Sequence, residues 1–177
     1  KVSSGKAHTK NSEIVEDANI ESFSILKTEL MTTAEANKRN NNLSKKLFAV
    51  ENAVKSIQSQ ATEAKKLAMQ AKNPVEGGKV DIENLARNIL GSVQQFLNEQ
   101  YSGEYLFAGG KTTTAPVAGI VATSNLDATD APTGKYYQGD AIALKQRLSA
   151  DKEVELEINA NASAFQGLIG SLHLLID

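Results

Sequence analysis

Residues 43–71 read LSKKLFAVENAVKSIQSQATEAKKLAMQA, the longest stretch of regular apolar spacing in the chain. Its apolar residues follow one another in alternating steps of four and three, which is the spacing of the buried seam of a coiled coil. The seam residues are Leu43, Leu47, Val50, Val54, Ile57, Ala61, Ala64, Ala68 and Ala71. Lys, Glu and Gln lie between them, so the stretch predicts an amphipathic helix with its seam buried. Because the seam changes from Leu and Val to Ala, we expect a partner helix to lie close to residues 61–71.

The helical pattern continues on the N-terminal side of this stretch. An apolar face is formed there by Val15, Ala18, Phe23, Leu26 and Leu30. Residues 32–42 contain no Gly or Pro that would end a helix but carry little apolar surface, so the helix either runs straight through or bends. We favour one helix from about Asn11 to Lys72, which at 1.5 Å per residue would be about 90 Å long. A helix of that length needs tertiary packing to be stable.

A second helix is predicted after a turn at Asn73-Pro74 and Gly77-Gly78. It runs over about residues 80–100 and is closed by Gly103. Its apolar side consists of Ile82, Leu85, Ile89, Val93, Phe96 and Leu97. Because the connection is short, we expect the two helices to be antiparallel neighbours.

From residue 105 onward, short strand patterns replace the long helical pattern. Strands are predicted at residues 105–108, 135–138, 141–148 and 153–158. The last of them alternates Glu with Val, Leu and Ile. A turn is predicted at Asp151-Lys152 and a loop over residues 111–134. A final helix is capped by Asn161 or Ser163, and its apolar face is Phe165, Leu168, Ile169, Leu172, Leu175 and Ile176. The fold class is therefore mainly α with a small β insertion: an elongated antiparallel helical bundle with short antiparallel strands between helices two and three. We expect a helical rod segment (1–104), a β-rich insertion (105–160) and a returning helix (161–177).

Composition restricts the function. Nineteen basic side chains against 21 acidic ones, with no basic stripe interleaved with aromatics, argue against nucleic acid as a partner. The chain has no Cys, so it has no disulfides and no thiolate or cysteine zinc site. No apolar run is long enough to cross a bilayer or to act as a signal peptide. Because the chain starts at Lys1 and stops in mid-pattern at 172–176, we expect an internal segment of a longer protein.

Candidate sites for chemistry all have simpler explanations. The two histidines, His8 and His173, are far apart, so packing or exposure is expected rather than metal binding. Gly110-Lys111-Thr112 resembles the end of a phosphate-binding loop, but Tyr105 stands where that motif requires Gly. No pair of carboxylates and no Ser, His and Asp set stands out, so we predict no catalytic, cofactor-binding or metal-binding residue and no enzyme.

Three polar groups remain as surface features. Asp127, Asp130 and Asp140 lack the spacing of a calcium loop and are expected in solvated turns. Thr112, Thr113 and Thr114 are either an ordinary polar loop, which we favour, or a glycosylated patch. Glu153, Glu155 and Glu157 are expected to form a solvated acidic strand face.

One region is specific enough to indicate a family. Residues 103–117, GEYLFAGGKTTTAPV, resemble the segment that follows the second helix in the bacterial hook-associated protein 3 family, the hook–filament junction proteins related to flagellin. Tyr136-Tyr-Gln-Gly-Asp and INANASAFQGLI at 158–169 agree with that family in the same order, and residues 53–54 and 65–68 resemble the long helix of the flagellin rod domain. The resemblance covers about residues 40–117 and 136–175.

The resemblance implies a rod-like helical domain with a small outer β region. It implies an extracellular location in the flagellum, export through the flagellar type III apparatus without a cleaved signal, and partners that include further copies, another hook-associated protein, flagellin and an export chaperone. Ser3-Ser-Gly-Lys matches the family's opening motif, but the Asp-Asp-Pro that usually follows is replaced by Asn11-Ser-Glu-Ile-Val-Glu-Asp. The family's terminal polymerising segments are missing, so we expect this chain alone to be a monomer.

The hypothesis is a structural flagellar protein that connects hook and filament, without membrane insertion and without a cofactor. A flagellin filament subunit is the nearest alternative, and a helical extracellular sensory module is an alternative from another class.

Overall fold

The computed structural model describes the backbone of residues 7–72, 78–120, 135–149 and 152–176, and the side chains of 19–72, 81–120, 135–149 and 152–176. The elements in chain order are α1 (Ala7–Ala71), α2 (Gly78–Leu97), β1 (Gln100–Tyr101), β2 (Glu104–Tyr105), β3 (Leu144–Ser149), β4 (Lys152–Leu156) and α3 (Ser163–His173). Two antiparallel pairs, β1 with β2 and β3 with β4, lie between the second and third helices. The predicted fold class, mainly α with a small β insertion, is confirmed.

The long helix is a single element. It passes through the polar residues 32–42 without a break, as favoured from the lack of Gly and Pro there. Its bounds, Ala7–Ala71, differ from the predicted 11–72 mainly at the N-terminal end. The predicted turn at Asn73-Pro74 lies in residues 73–77, outside the described part of the chain.

Of the nine predicted seam residues on α1, four are buried, four are half-buried and one is exposed. Along the line of positions one heptad apart, Leu43, Val50, Ile57 and Ala64 are buried, as predicted, and Ala71 is half-buried. The intervening positions are more exposed, Leu47 at 39%, while Ala53 and Leu67 are buried at 4% exposure in their place. At 3.6 residues per turn, the fourth residue lies about 40° to one side of the heptad line and the third about 60° to the other. The position of α2, which packs along α1, decides which side is covered.

The N-terminal half of α1 extends beyond the bundle. Between residues 19 and 42 every side chain is exposed except that of Ala36, which is half-buried. The predicted apolar face is therefore uncovered by any described residue: Phe23 is 70%, Leu26 63% and Leu30 71% exposed. Val15 and Ala18 lie outside the described side chains.

Helix α2 ends earlier than predicted. It stops at Leu97 rather than near residue 100, where the chain enters β1. Gly103 does not close the helix, because it forms the turn between β1 and β2 together with Ser102. Lys46 on α1 forms an ion pair with Glu104 in β2, with Nζ and Oε2 3.1 Å apart, and so joins the long helix to this small hairpin.

The strands are shorter than predicted. Only Tyr105 of the predicted strand 105–108 pairs, since residues 106–108 turn into the core instead. The predicted strand 135–138 is reduced to an isolated bridge between Tyr137 and Val117. The third strand begins at Leu144 rather than 141, and the fourth ends at Leu156, leaving Ile158 outside the strand and 44% exposed. Asp151 of the predicted turn lies outside the described residues.

Helix α3 closes the core on the predicted face. Phe165, Ile169, Leu172 and Ile176 are buried, and Leu168 and Leu175 are half-buried against the same cluster. The ring of Phe165 meets that of Phe107 edge to face, with centroids 6.1 Å apart. The predicted cap is wrong: the N-cap is Ala162, which has no side-chain oxygen, and its backbone carbonyl accepts from the amides of Phe165 and Gln166.

Candidate functional site

The YLFAGG segment, residues 105–110, is the centre of a hydrogen-bond network between parts of the chain that are distant in sequence. Leu106, Phe107 and Ala108 are buried, so their peptide groups need partners inside the protein. The Phe107 carbonyl accepts from the Ala160 amide at 2.9 Å, and the Ala108 carbonyl accepts from the Asp140 amide at 3.1 Å. The segment therefore holds both the approach to β3 and the approach to α3.

Asp140 acts as a backbone cap. Its Oδ1 accepts from the Gly110 amide at 2.6 Å and from the Ile142 amide at 3.1 Å. Gly109 has a φ of +66°, and a Cβ on it would lie 2.3 Å from the Asp140 carbonyl oxygen. Only glycine allows this approach of the two chain segments. The expected solvated turn residue is in fact part of the network.

Two adjacent tyrosines hold the other side of the network. The Tyr136 hydroxyl donates to the Ala160 carbonyl at 2.7 Å, and burial raises the pKa of Tyr136 to about 12. The Tyr137 hydroxyl donates to the Asp140 carbonyl at 2.7 Å. Burial first and the Asp140 charge second raise the pKa of Tyr137 to about 12. Both phenols stay protonated at neutral pH and act as hydrogen-bond donors.

Asn98 joins the end of α2 to the same network. Its side-chain amide donates to the Val117 carbonyl at 2.8 Å and accepts from the Val117 amide at 3.0 Å. Val117 also bridges to Tyr137, and the Gln138 amide donates to the Pro116 carbonyl at 2.9 Å. The three segments that carried the family resemblance therefore meet in space, which their sequence separation did not reveal.

The chemistry of this network is that of a structural joint. Its polar side chains bind backbone groups of the protein, and they leave no activated nucleophile facing a cavity. Gly110-Lys111-Thr112 is not arranged to bind phosphate, since the Asp140 carboxylate occupies the Gly110 amide that an anion would need. Among the residues that the structure describes, there is no group of three or more His, Asp or Glu able to hold a metal ion.

The other candidates from the sequence do not converge. His173 is buried on α3 at 1% exposure, whereas the side chain of His8 is outside the described part, as are Asp127 and Asp130. Thr113 and Thr114 are exposed and Thr112 is half-buried.

The acidic face of the β3–β4 hairpin is solvated as expected. Glu153, Glu155 and Glu157 are all exposed. Glu155 forms a cross-strand ion pair with Lys145, its partner in the sheet register.

A second candidate region is an apolar groove between α1 and α2. Its volume is about 610 Å³, and Phe48, Phe96 and Tyr101 line it together with small residues of α1. Phe48 is 64% exposed and lies five helical turns after Leu30, so the two side chains share one face of α1. That spacing is visible in the sequence, although Phe48 lies outside the heptad seam.

Crystal structures of a known protein match this fold. The chain shares its fold with FlgL. One structure of Xanthomonas campestris FlgL, in space group H3, matches with a TM-score of 0.61 and 21% sequence identity over 73% of this chain and 40% of that one. A second, in space group C2, matches with a TM-score of 0.59 and 21% identity over 70% of this chain and 38% of that one.

FlgL is hook-associated protein 3, so the resemblance inferred from residues 103–117 and 136–140 is confirmed at the level of the fold. The chain spans about two fifths of the length of the FlgL chains that it matches. No protein-family model matches the chain, and neither does any curated protein. None of the helices in the described ranges is both long and apolar enough to span a membrane.

Proposed function

We propose that the chain is part of a structural protein of the bacterial flagellum that connects the hook to the filament. The observation that carries this proposal is the shared fold with FlgL over 73% of the chain. The network around the YLFAGG segment supports it, because the three segments that resemble the hook-associated family form one joint in the structure. No enzymatic activity is part of the proposal.

The proposed mechanism is geometric. Helices α1 and α2 pack along each other into a stiff rod, and the network holds the β region and α3 against it. Such a rod can pack laterally against flagellin-like neighbours while its ends meet hook-side proteins. The uncovered apolar residues Phe23, Leu26 and Leu30 are available for such lateral contacts.

Partners and location follow from the proposed role. They are further copies of the full-length protein, another hook-associated protein, flagellin and an export chaperone, on the outside of the cell after type III export. The division into a rod segment (1–104), a β-rich insertion (105–160) and a returning helix (161–177) remains part of this proposal.

The decisive experiment is deletion of the gene in the bacterium that encodes it, with imaging of the hooks and an assay of flagellin in the growth medium. Intact hooks without filaments, together with flagellin shed into the medium, are expected if the junction is missing. Bare hooks without shed flagellin would indicate a filament subunit instead. Normal filaments would contradict any flagellar role and favour a protein of another functional class, such as a helical sensory module.

A further inference from the structure

The β3–β4 hairpin is part of an excursion that leaves and rejoins the core at one place. We call residues 141–149 and 152–159 the strap. On one side, the Asp140 amide donates to the Ala108 carbonyl at 3.1 Å. On the other, the Ala160 amide donates to the Phe107 carbonyl at 2.9 Å. Because Phe107 and Ala108 are consecutive, both ends of the strap are anchored side by side.

Both anchors are also held by residues outside the strap. Asp140 is held by the Gly110 amide at 2.6 Å, and the Ala160 carbonyl is held by the Tyr136 hydroxyl at 2.7 Å. Ala108, Tyr136 and Ala160 are each almost completely buried. The Ile142 amide of the strap also donates to Asp140 Oδ1, at 3.1 Å, so movement of the hairpin beyond Ile142 need not disturb these bonds.

The hold of the strap on α1 is weak by comparison. The strap's inner face consists of Leu144, Gln146, Leu148, Val154 and Leu156, all of which are half-buried and none of which is buried. Leu148 and Val154 line an open groove of about 450 Å³ together with Leu47 of α1, and Gln146 lines another of about 310 Å³. The ion pair of Lys145 with Glu155 joins the two strands to each other and not to α1.

Leu43 is a buried residue of α1 that lies beside both the strap and the β1–β2 hairpin. It is 8% exposed, yet it lies outside the main cluster of buried residues in the described structure. The cavities that it lines are bounded by Gln146, Leu148 and Val154 of the strap. Val50, one heptad further along α1, is also 8% exposed but belongs to the main cluster with α2.

We propose that the strap is a hinged cover that lifts from α1 as a unit, while its anchors at Phe107 and Ala108 stay in place, and exposes Leu43. The hinges are the irregular residues that flank the hairpin, where Ile142 is 65% and Ile158 44% exposed and no buried side chain has to move. Opening breaks only the loose contacts with α1, so it requires less free energy than global unfolding. A lifted two-stranded hairpin has little stability of its own, which favours reclosure. In the open state, Leu43 joins Leu47 and Phe48 in one exposed apolar surface.

The test compares thiol reactivity at two positions of equal exposure. The chain has no cysteine, so Leu43→Cys and Val50→Cys each carry a single thiol. With iodoacetamide in native buffer, the thiol at position 43 is expected to react at least about tenfold faster than that at 50, with little dependence on low urea concentrations. Equal rates with the same urea dependence would overturn the proposal. Each rate is compared with the unfolding curve of its own variant, so that a general loss of stability is not mistaken for local opening.

A third substitution separates local from global opening. Leu148→Ala is added to each of the two cysteine variants. It should raise the alkylation rate at position 43 several-fold and leave the rate at position 50 unchanged. Arg147→Ala, on the exposed face of the same strand, is the matched control and should change neither rate. A parallel increase at both positions would show that the strap opens only when the protein unfolds.

Hydrogen exchange on the unsubstituted protein provides an independent measurement. Amides of β3 and β4 are expected to exchange through an opening that depends less on denaturant than that of Leu90 and Val93 in α2. If the strand amides exchange only with the amides of α2, the proposal is wrong.

Discussion

Two residues in the turn between β1 and β2 carry positive backbone φ angles, +53° at Ser102 and +82° at Gly103. Tyr101 pairs with Glu104, so these two residues are the whole loop of a hairpin. Positive φ at both central positions is the pattern of a type I′ turn, for which Asn-Gly is the preferred sequence. The residue types at these two positions therefore affect stability through the backbone angles that they allow.

Substitutions in this turn should act in opposite directions. Gly103→Ala should lower the free energy of unfolding by about 1 kcal/mol, because a Cβ disfavours positive φ although no atom lies within 4 Å of it. Ser102→Asn should raise it by a few tenths of a kcal/mol. Urea denaturation followed by circular dichroism measures both, and a neutral Gly103→Ala would show that the turn does not adopt this conformation in solution.

Tyr136 makes the buried bond between the YYQGD segment, residues 136–140, and the start of α3. Tyr136→Phe should lower the free energy of unfolding by about 1–2 kcal/mol, because the Ala160 carbonyl loses its hydroxyl donor in a buried site. Tyr105→Phe is the matched control, since its hydroxyl makes no hydrogen bond within the described structure, and it should be nearly neutral. Equal effects of the two substitutions would count against the bond.

The same tyrosines predict how stability depends on pH. Their pKa values are about 12 in the folded protein, against the ordinary tyrosine value of 10.0 in the unfolded chain. The folded state therefore keeps a proton that the unfolded state releases, so this contribution is complete below pH 10 and is lost as the pH rises towards 12. Denaturation curves between pH 9 and about 12 should show the decline, and Tyr136→Phe should make it shallower.

At the scale of the element, the seam of α1 shows how a neighbour selects among equivalent positions. Leu47 and Leu67 are the same residue type on the same helix, and the heptad pattern placed only Leu47 in the seam. The structure reverses this, with Leu47 39% and Leu67 4% exposed. Periodicity identified the helix and half of its buried line, but the direction from which α2 approaches is not encoded in periodicity.

The difference in burial between Leu47 and Leu67 can be tested by truncating each side chain to Ala. Leu67→Ala should lower the free energy of unfolding by about 3 kcal/mol, because it removes a buried side chain and leaves a cavity. Leu47→Ala should cost less than about 1 kcal/mol, since much of that side chain already contacts solvent. Chemical denaturation of the two variants under one condition gives the comparison. A larger effect at Leu47 would restore the seam predicted from the sequence.

At the scale of the whole molecule, α1 is unevenly supported. Residues 43–71 pack in the bundle, whereas residues 19–42 have exposed side chains apart from Ala36 within the described structure. An isolated helical segment of this length is marginally stable in water. The expectation that the chain is a monomer stays a prediction, and the exposed Phe23, Leu26 and Leu30 are the residues whose association would contradict it.

Limited proteolysis should reveal this difference. Trypsin is expected to cut first after Lys27, Lys38 or Arg39, because fraying of the unsupported segment opens its backbone. Cleavage after Arg87 should come later, since that side chain is partly buried on α2 and paired with Glu83 at 2.7 Å. Mass spectrometry of the early fragments identifies the order. Early cuts at Arg87 would contradict the expected distribution of stability.

Local sequence patterns were enough to predict the helices and their approximate bounds, the acidic outer face of the last hairpin and the core face of α3. Each of these depends on neighbours in the chain, through spacing at 3.6 or two residues. Contacts between distant parts of the chain were needed to show that Asp140, Tyr136 and Asn98 belong to one network and that residues 106–108 are core rather than strand. Their partners are backbone groups distant in sequence, and a hydrogen bond to a backbone amide or carbonyl leaves no residue pattern from which it could be predicted.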